Sequence, residues 1–219
     1  MNAVITSKLD LLSVSLLPDF SLSIQVSTCC LVIFGALALA FTLWRKFFSG
    51  TSWKDFEIDQ AEIGIGSGKI RFKPNMTDRQ VAYAIWVELS TRKIGLPIDF
   101  DHDVIAEIYD SWYSFFAITR DLVKSIPVMK VRNDSTQKII KLSIEVLNKG
   151  LRPHLTIWQA RFRRWYEYEI NKESGDAVID PQDIQKNFPK FTELKNDMEQ
   201  VNQNLIRYRQ KMSQLVLRG

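Results

Sequence analysis

Between Leu22 and Trp44 the chain reads "LSIQVSTCCLVIFGALALAFTLW" without a single formal charge. Nothing else in the sequence restricts its fate so strongly, because ~20 such residues are enough to cross a hydrocarbon slab of ~30 Å. The run is therefore read as one transmembrane helix. A cleaved signal peptide is the competing reading, and "ALALA" offers small residues for it. Against it, the preceding stretch has Lys8 beside Asp10 and Asp19 rather than a basic start, and the uncharged run exceeds the usual apolar region of a signal.

Flanking charge sets the orientation. Arg45 and Lys46 follow the run at once and Lys54 comes soon after, so the N-terminus is expected outside and the bulk of the chain in the cytoplasm of a cell membrane. Trp44, Phe47 and Phe48 beside those cations suit a headgroup belt. Gln25, Ser27 and Thr28 are the polar side chains of the run, candidates for lining a pore or packing spans together. Ser23 with Ser27, and Ala36 with Ala40, are spaced to share a helix face where a neighbouring span can approach. Upstream, "LDLLSVSLLPDFSLS" is too short before Pro18 to span and suits an amphipathic segment on the outer leaflet.

Five regions follow: an outward-facing segment 1–21, the span 22–44, a juxtamembrane linker 45–55, a cytosolic β-hairpin and helical domain 56–189, and a heptad-patterned helix 190–217. The expected class is α+β, mainly α. Phe56 and Ile58, then Ile63 and Ile65, then Ile70 and Phe72 alternate as half-buried strands do. The "GIGSGK" between them lacks the spacing of a Walker loop, and Lys69 runs into another strand pattern rather than a helix, so a hairpin closed by Gly66-Ser67-Gly68 is expected. Lys69, Arg71 and Lys73 then share one strand face.

Thr77 with Gln80 reads as a capping box opening a helix that Gly95 ends. A second helix is expected from about Asp101 to Ile126, capped by Asp101 or Asp103, with Pro127 behind it. A third runs from Ser135 to Lys149 with Gly150 as its stop, and a fourth follows Pro153. "SGDAVIDPQD" reads as a linker. In the last segment Phe191, Leu194, Met198, Val201, Leu205, Tyr208, Met212 and Leu215 alternate steps of three and four, with Asn202, Gln203 and Asn204 flanking. This seam is expected to pair chains into a homo-oligomer, through Leu194, Met198, Val201, Leu205, Tyr208 and Met212 above all; packing on its own domain is the other reading.

No nucleophile with its base and no paired catalytic carboxylates are recognisable, so an enzyme is not expected. Neither is a cofactor. The neighbouring Cys29 and Cys30 write no zinc motif, and "DFDHDV" around His102 lacks the glycine turn and distal glutamate of a calcium loop, so no metal is expected either. The chain carries 29 Lys+Arg against 25 Asp+Glu, too mild a surplus for a duplex-DNA reader.

The chemistry concentrates in "LRPHLTIWQARFRRWYEYE", residues 151–169, which holds four arginines, two tryptophans and a histidine. On a regular helical wheel His154, Trp158, Arg161 and Trp165 fall within ~60° of each other. Arginine against an aromatic face suits phosphate and stacked bases, so these four with Arg164, Lys69 and Arg71 form the expected nucleotide or oligonucleotide site. Pairing of the arginines with Glu167, Glu169 and Glu173 is the structural alternative.

This order of parts, together with "GLRPHLTIWQARFRRWYE", resembles the small membrane effectors of bacterial anti-phage signalling, and among them the channel-forming partner of a nucleotidyltransferase in the Hailong-type system. The resemblance implies a nucleotide-derived ligand, oligomeric assembly, a nucleotidyltransferase partner and growth arrest. No individual residue's role is carried over by it. A membrane-tethered scaffold, recruiting a cytosolic partner through its coiled coil without any ligand, is the alternative function; it expects Arg161 and Arg164 to be dispensable and a proline at Leu205 to be fatal.

Overall fold

The computed structural model describes residues 12–16, 22–48, 55–172 and 179–217, the side chains of 12–26 and 44–48 excepted. The side chains of the interfacial belt, Lys54, Glu173 and the first half of the 174–183 linker therefore lie outside the described residues. The chain divides into two compact units, Met1–Ser52 and Trp53–Gly219.

In the first unit, β1 (Leu12–Leu16) pairs antiparallel with β2 (Leu22–Val26), Ser13 opposite Gln25 and Val14 opposite Ile24. Helix α1 (Thr28–Phe48) follows. This corrects the helix expected over 22–44 and the separate outward segment ending at 21. "LSVSL" and "LSIQV" alternate with period two, and a strand partner is available just across Pro18, so this stretch goes into a ladder instead of helix. Among the described residues no helix is both long and apolar enough to cross a membrane. The uncharged part of α1, residues 28–44, advances only ~25 Å.

The second unit begins with β3 (Phe56–Asp59) and β4 (Lys69–Phe72), an antiparallel pair with Phe56 opposite Phe72 and Ile58 opposite Ile70. The expected closure by Gly66-Ser67-Gly68 is instead a nine-residue connection, 60–68, because Ile63 and Ile65 are drawn into the core rather than into the ladder. Gly64 has φ +68°, and a Cβ there would meet the Asn204 side chain at 2.2 Å, so only glycine lets this loop lie against the C-terminal helix.

Helix α2 (Met76–Thr91) starts one step earlier than the Thr77 signal. Its cap is Asn75, whose Oδ1 accepts from the Thr77 and Asp78 amides, while Asp78 Oδ2 accepts the Asn75 amide in return. Helix α3 (Ile105–Lys124) is not capped by Asp101 or Asp103. Gln185, on α7 (Pro181–Lys186), reaches in to accept the Ile105 amide and donates to the Asp103 carbonyl.

The largest departure is at Gly150 and Pro153. Helix α4 (Asp134–Glu145) does not stop there. It continues through a wide π-type turn (Val146–Leu151), a short α5 (Arg152–His154), a second wide turn (Leu155–Gln159) and α6 (Ala160–Lys172). Proline inside a regular helix clashes with the carbonyl four residues back; widening the turns on either side makes room for the ring. Finally α8 (Phe191–Leu217) lies along α2 and completes one core that runs from Ile58 to Leu215. The C-terminal helix is thus part of the same body as the hairpin.

Candidate functional site

The aromatic and cationic helix is divided by the core. His154 is almost wholly buried, its side chain 1% exposed, between Tyr109 of α3 and Asp197 of α8. Its Nδ1 lies 2.8 Å from Asp197 Oδ2 and its Nε2 3.1 Å from the Tyr109 hydroxyl. The Trp158 indole N–H donates to the same Asp197 oxygen at 2.8 Å. A neutral imidazole satisfies everything here: Nδ1–H donates to the carboxylate and Nε2 accepts from the phenol. Burial holds His154 below the ordinary imidazole pKa against the opposing pull of Asp197, and it pushes the Tyr109 phenol well above its usual range. Three donors and acceptors from α3, the α5 region and α8 are thereby locked together in the core.

The expected single face of His154, Trp158, Arg161 and Trp165 is therefore not one surface. Trp158 is buried, and Trp165 is half-buried against Phe162 and Phe188. Arg161 and Arg164 are exposed, and among the described residues neither has a partner. Of the alternative pairings with glutamates, none forms at Arg161 or Arg164; Arg163 takes a carboxylate, but it is Asp110 on α3. The wide turns change the phase of the helix, so a wheel drawn at a constant angle misassigns its neighbours.

Lys69 and Arg71 are exposed on β4 and both bond Glu57 on β3, Lys69 at 3.0 Å. Those two cations hold the Glu57 carboxyl below its usual range. Lys73 faces Asp55 at 3.9 Å. The hairpin row is thus largely answered by its own strand and is not brought together with the 151–169 helix.

Gln25, Ser27 and Thr28 do not share a helix face either. Gln25 is in β2, Ser27 Oγ accepts the Cys29 amide at the start of α1, and Thr28 is the first helical residue. Leu194, Met198, Val201, Leu205, Tyr208 and Met212 are all buried within their own domain. The seam meant for a second chain is used by the first. Asn202, placed outside the seam by its spacing, is buried too, and its side-chain amide faces the carbonyls of Lys93, Ile94 and Leu96 at 3.0–3.2 Å, in the loop that follows α2.

The arrangement with room for a ligand lies on the opposite flank of the same helix. Tyr113, Phe116, Ala117 and Arg120 of α3 face Arg152, Leu155 and Thr156 across a groove of about 340 Å³. The Arg152 guanidinium sits 4.9 Å from the centre of the Phe116 ring, and its Nε–H donates to neutral Asn148. Arg120 is exposed and has no partner among the described residues. No carboxylate lines the groove, so its two positive charges are unanswered while two aromatic faces lie beside them. Arg152 lay in the stretch that the sequence singled out. Tyr113 and Phe116 belong to the aromatic run 111–116, whose Trp112 and Phe115 are buried in the core, and Arg120 lies one turn further along α3.

Among the described residues no group of His, Cys, Asp or Glu is placed to hold a metal ion. No protein-family model, curated protein or solved structure matches the chain.

Proposed function

We propose that the protein is a membrane-anchored effector in which the Trp53–Gly219 domain binds a nucleotide or oligonucleotide signal and α1 delivers the response to the bilayer as part of a homo-oligomer. The observation that carries the membrane part is the uncovered apolarity of α1. Leu31, Val32, Ile33 and Phe34 are consecutive, so they point to every side of the helix, and all are 49–73% exposed. Leu37, Leu39, Phe41 and Leu43 continue the pattern. A helix apolar all round has its stable place in lipid or among copies of itself. Its ~25 Å of uncharged length falls short of a ~30 Å slab, which favours local thinning and association with neighbouring copies. On this reading the N-terminus lies outside, the larger domain faces the cytoplasm of the cell membrane, and the ligand's source is a partner nucleotidyltransferase.

For the ligand, the groove supplies what a nucleotide needs: guanidinium groups for phosphate and ring faces for a base. The test uses full-length protein in dye-loaded vesicles, with short oligonucleotides and cyclic nucleotides added in turn. Dye release should follow ligand addition, and Arg120→Ala or Arg152→Ala should weaken the response about tenfold each while leaving the melting temperature unchanged. A strictly monomeric protein in detergent, or release untouched by both variants, overturns the reading. The scaffold alternative depended on an exposed heptad seam, and that seam is buried.

A further inference from the structure

Between α3 and α4 the chain makes a short turn, Val128–Arg132, with Val128 84% and Met129 85% exposed. These are the most exposed large apolar side chains of the described residues. The turn is stiff: Pro127 precedes it, the Lys130 amide donates to the Pro127 carbonyl at 2.8 Å and the Asn133 amide to the Lys130 carbonyl at 3.0 Å. Its far end is clamped, since Asn75 donates to Ser135 and Thr136, and Thr136 donates to the buried Asp78. Two apolar side chains are therefore held out in water by a frame that cannot fold over them. Met76, also exposed, lines the same shallow depression as Ser125, Ile126 and Pro127.

Cations outnumber carboxylates around this tip. Lys130 and Arg132 have no carboxylate partner among the described residues, and Lys124 stands before them, paired with Asp121. Just behind, Asn133, Asp134 and Lys138 share a depression with Arg71, Lys73 and Asp55. Asp134 is answered by Lys138 and Asp55 by Lys73. Apolar tips ringed by cations match the two layers of an anionic membrane surface, acyl boundary and headgroup. A second copy of this chain would have to bring an acidic apolar patch, and no such patch accompanies the tip. In the sequence only residues 49–54 stand between the end of α1 and Asp55.

We propose that the Val128–Arg132 turn docks on the anionic lipid surface, with Val128 and Met129 entering the headgroup boundary and Lys130 and Arg132 facing phosphates. Docking as a second attachment rests on α1 lying in the bilayer; the tip's own apolar and cationic composition does not. Docking would fix the domain against the membrane at a second point.

The test places an environment-sensitive fluorophore at one of three positions in full-length protein with Cys29→Ser and Cys30→Ser: Leu37→Cys in α1, Met129→Cys at the tip, or Asn196→Cys on α8. The protein is reconstituted in vesicles of phosphatidylcholine with or without phosphatidylserine, carrying nitroxide-labelled lipid. The expected result is quenching and a blue shift at 129 with phosphatidylserine only, and none at 196. Lys130→Glu and Arg132→Glu should each lower the ratio of docked to undocked protein about fivefold. Because these side chains are exposed, the variants keep the fold, which the melting temperature verifies. Quenching at 37 without quenching at 129 overturns the docking and leaves the anchor standing; quenching at neither overturns both. A blue shift at 129 that grows with protein concentration in the absence of vesicles assigns the patch to a second copy and overturns the lipid reading.

Discussion

Two long helices of the described residues, α1 and α8, are both rich in regularly placed apolar residues, yet they end in opposite surroundings. In α8 the apolar positions step by three and four and form a single buried stripe, packed chiefly on α2 and also on the Val146–Leu151 turn and α5. In α1 they occupy every direction, and the side chains remain exposed. A stripe can be satisfied by one neighbour on one side. All-round apolarity cannot be, so it refers the helix to a medium rather than to a partner.

The most severe way to break this comparison is proline at the centre of each helix. Leu205→Pro should unfold the Trp53–Gly219 domain, since it removes a helix hydrogen bond, clashes with the preceding turn and empties a core site, together more than ~5 kcal/mol. Leu37→Pro should leave the domain's thermal transition in place and reduce only membrane association; a shared loss of the transition would abolish the contrast. One step milder, Leu205→Ala is expected to cost about 3 kcal/mol in urea unfolding, and Leu37→Ala close to nothing. Equal midpoint shifts for the two would show that α8 is not the domain's internal helix.

Asp197→Ala probes what α8 gives the core besides its stripe. It leaves His154 and Trp158 with unpaired buried donors, for about 2–3 kcal/mol by the same unfolding measurement. Smaller again is Asn202→Ala, at about 1–2 kcal/mol, through the loop carbonyls of Lys93, Ile94 and Leu96 left without this donor. The gentlest probe is pH. His154 titrates in the folded protein below its ordinary 6.5. Between those values the unfolded chain binds a proton that the folded one refuses, so stability falls as pH drops through ~6.5 and the loss levels off below the folded value. Replacing His154 by Gln should flatten that part of the stability curve.

The sequence made the period of α8 plain but not its partner, because three-and-four spacing describes a stripe and says nothing about which chain covers it. Asn202 was hidden for the same reason: a polar residue beside a seam is conspicuous only once the loop after α2 is known to lie against it. The hairpin was legible from alternation, and its length was not, since Ile63 and Ile65 continue the alternation while serving the core. In residues 151–169 the composition singled out a helix that borders the groove, while the wheel put on one face residues that the core divides. Gly150 and Pro153 look like punctuation, and only the geometry of the wide turns shows the helix passing through them. The groove's Arg120 had no local signal at all; its meaning comes from Arg152, which the sequence places 32 positions away.

Those two wide turns also make the helix a counting device. Each accommodates about one residue more than a regular turn would, so the angular position of everything beyond depends on the extra residues being kept. Deleting Gly150 would let the first turn close to ordinary pitch and rotate the following segment by ~100°. His154 would swing away from Asp197 and Tyr109, and Arg152 would leave the groove, although no side chain at either place had been altered. Buried network and open groove are thus held in register by one length of backbone, and a single lost residue belonging to neither would put them out of step together.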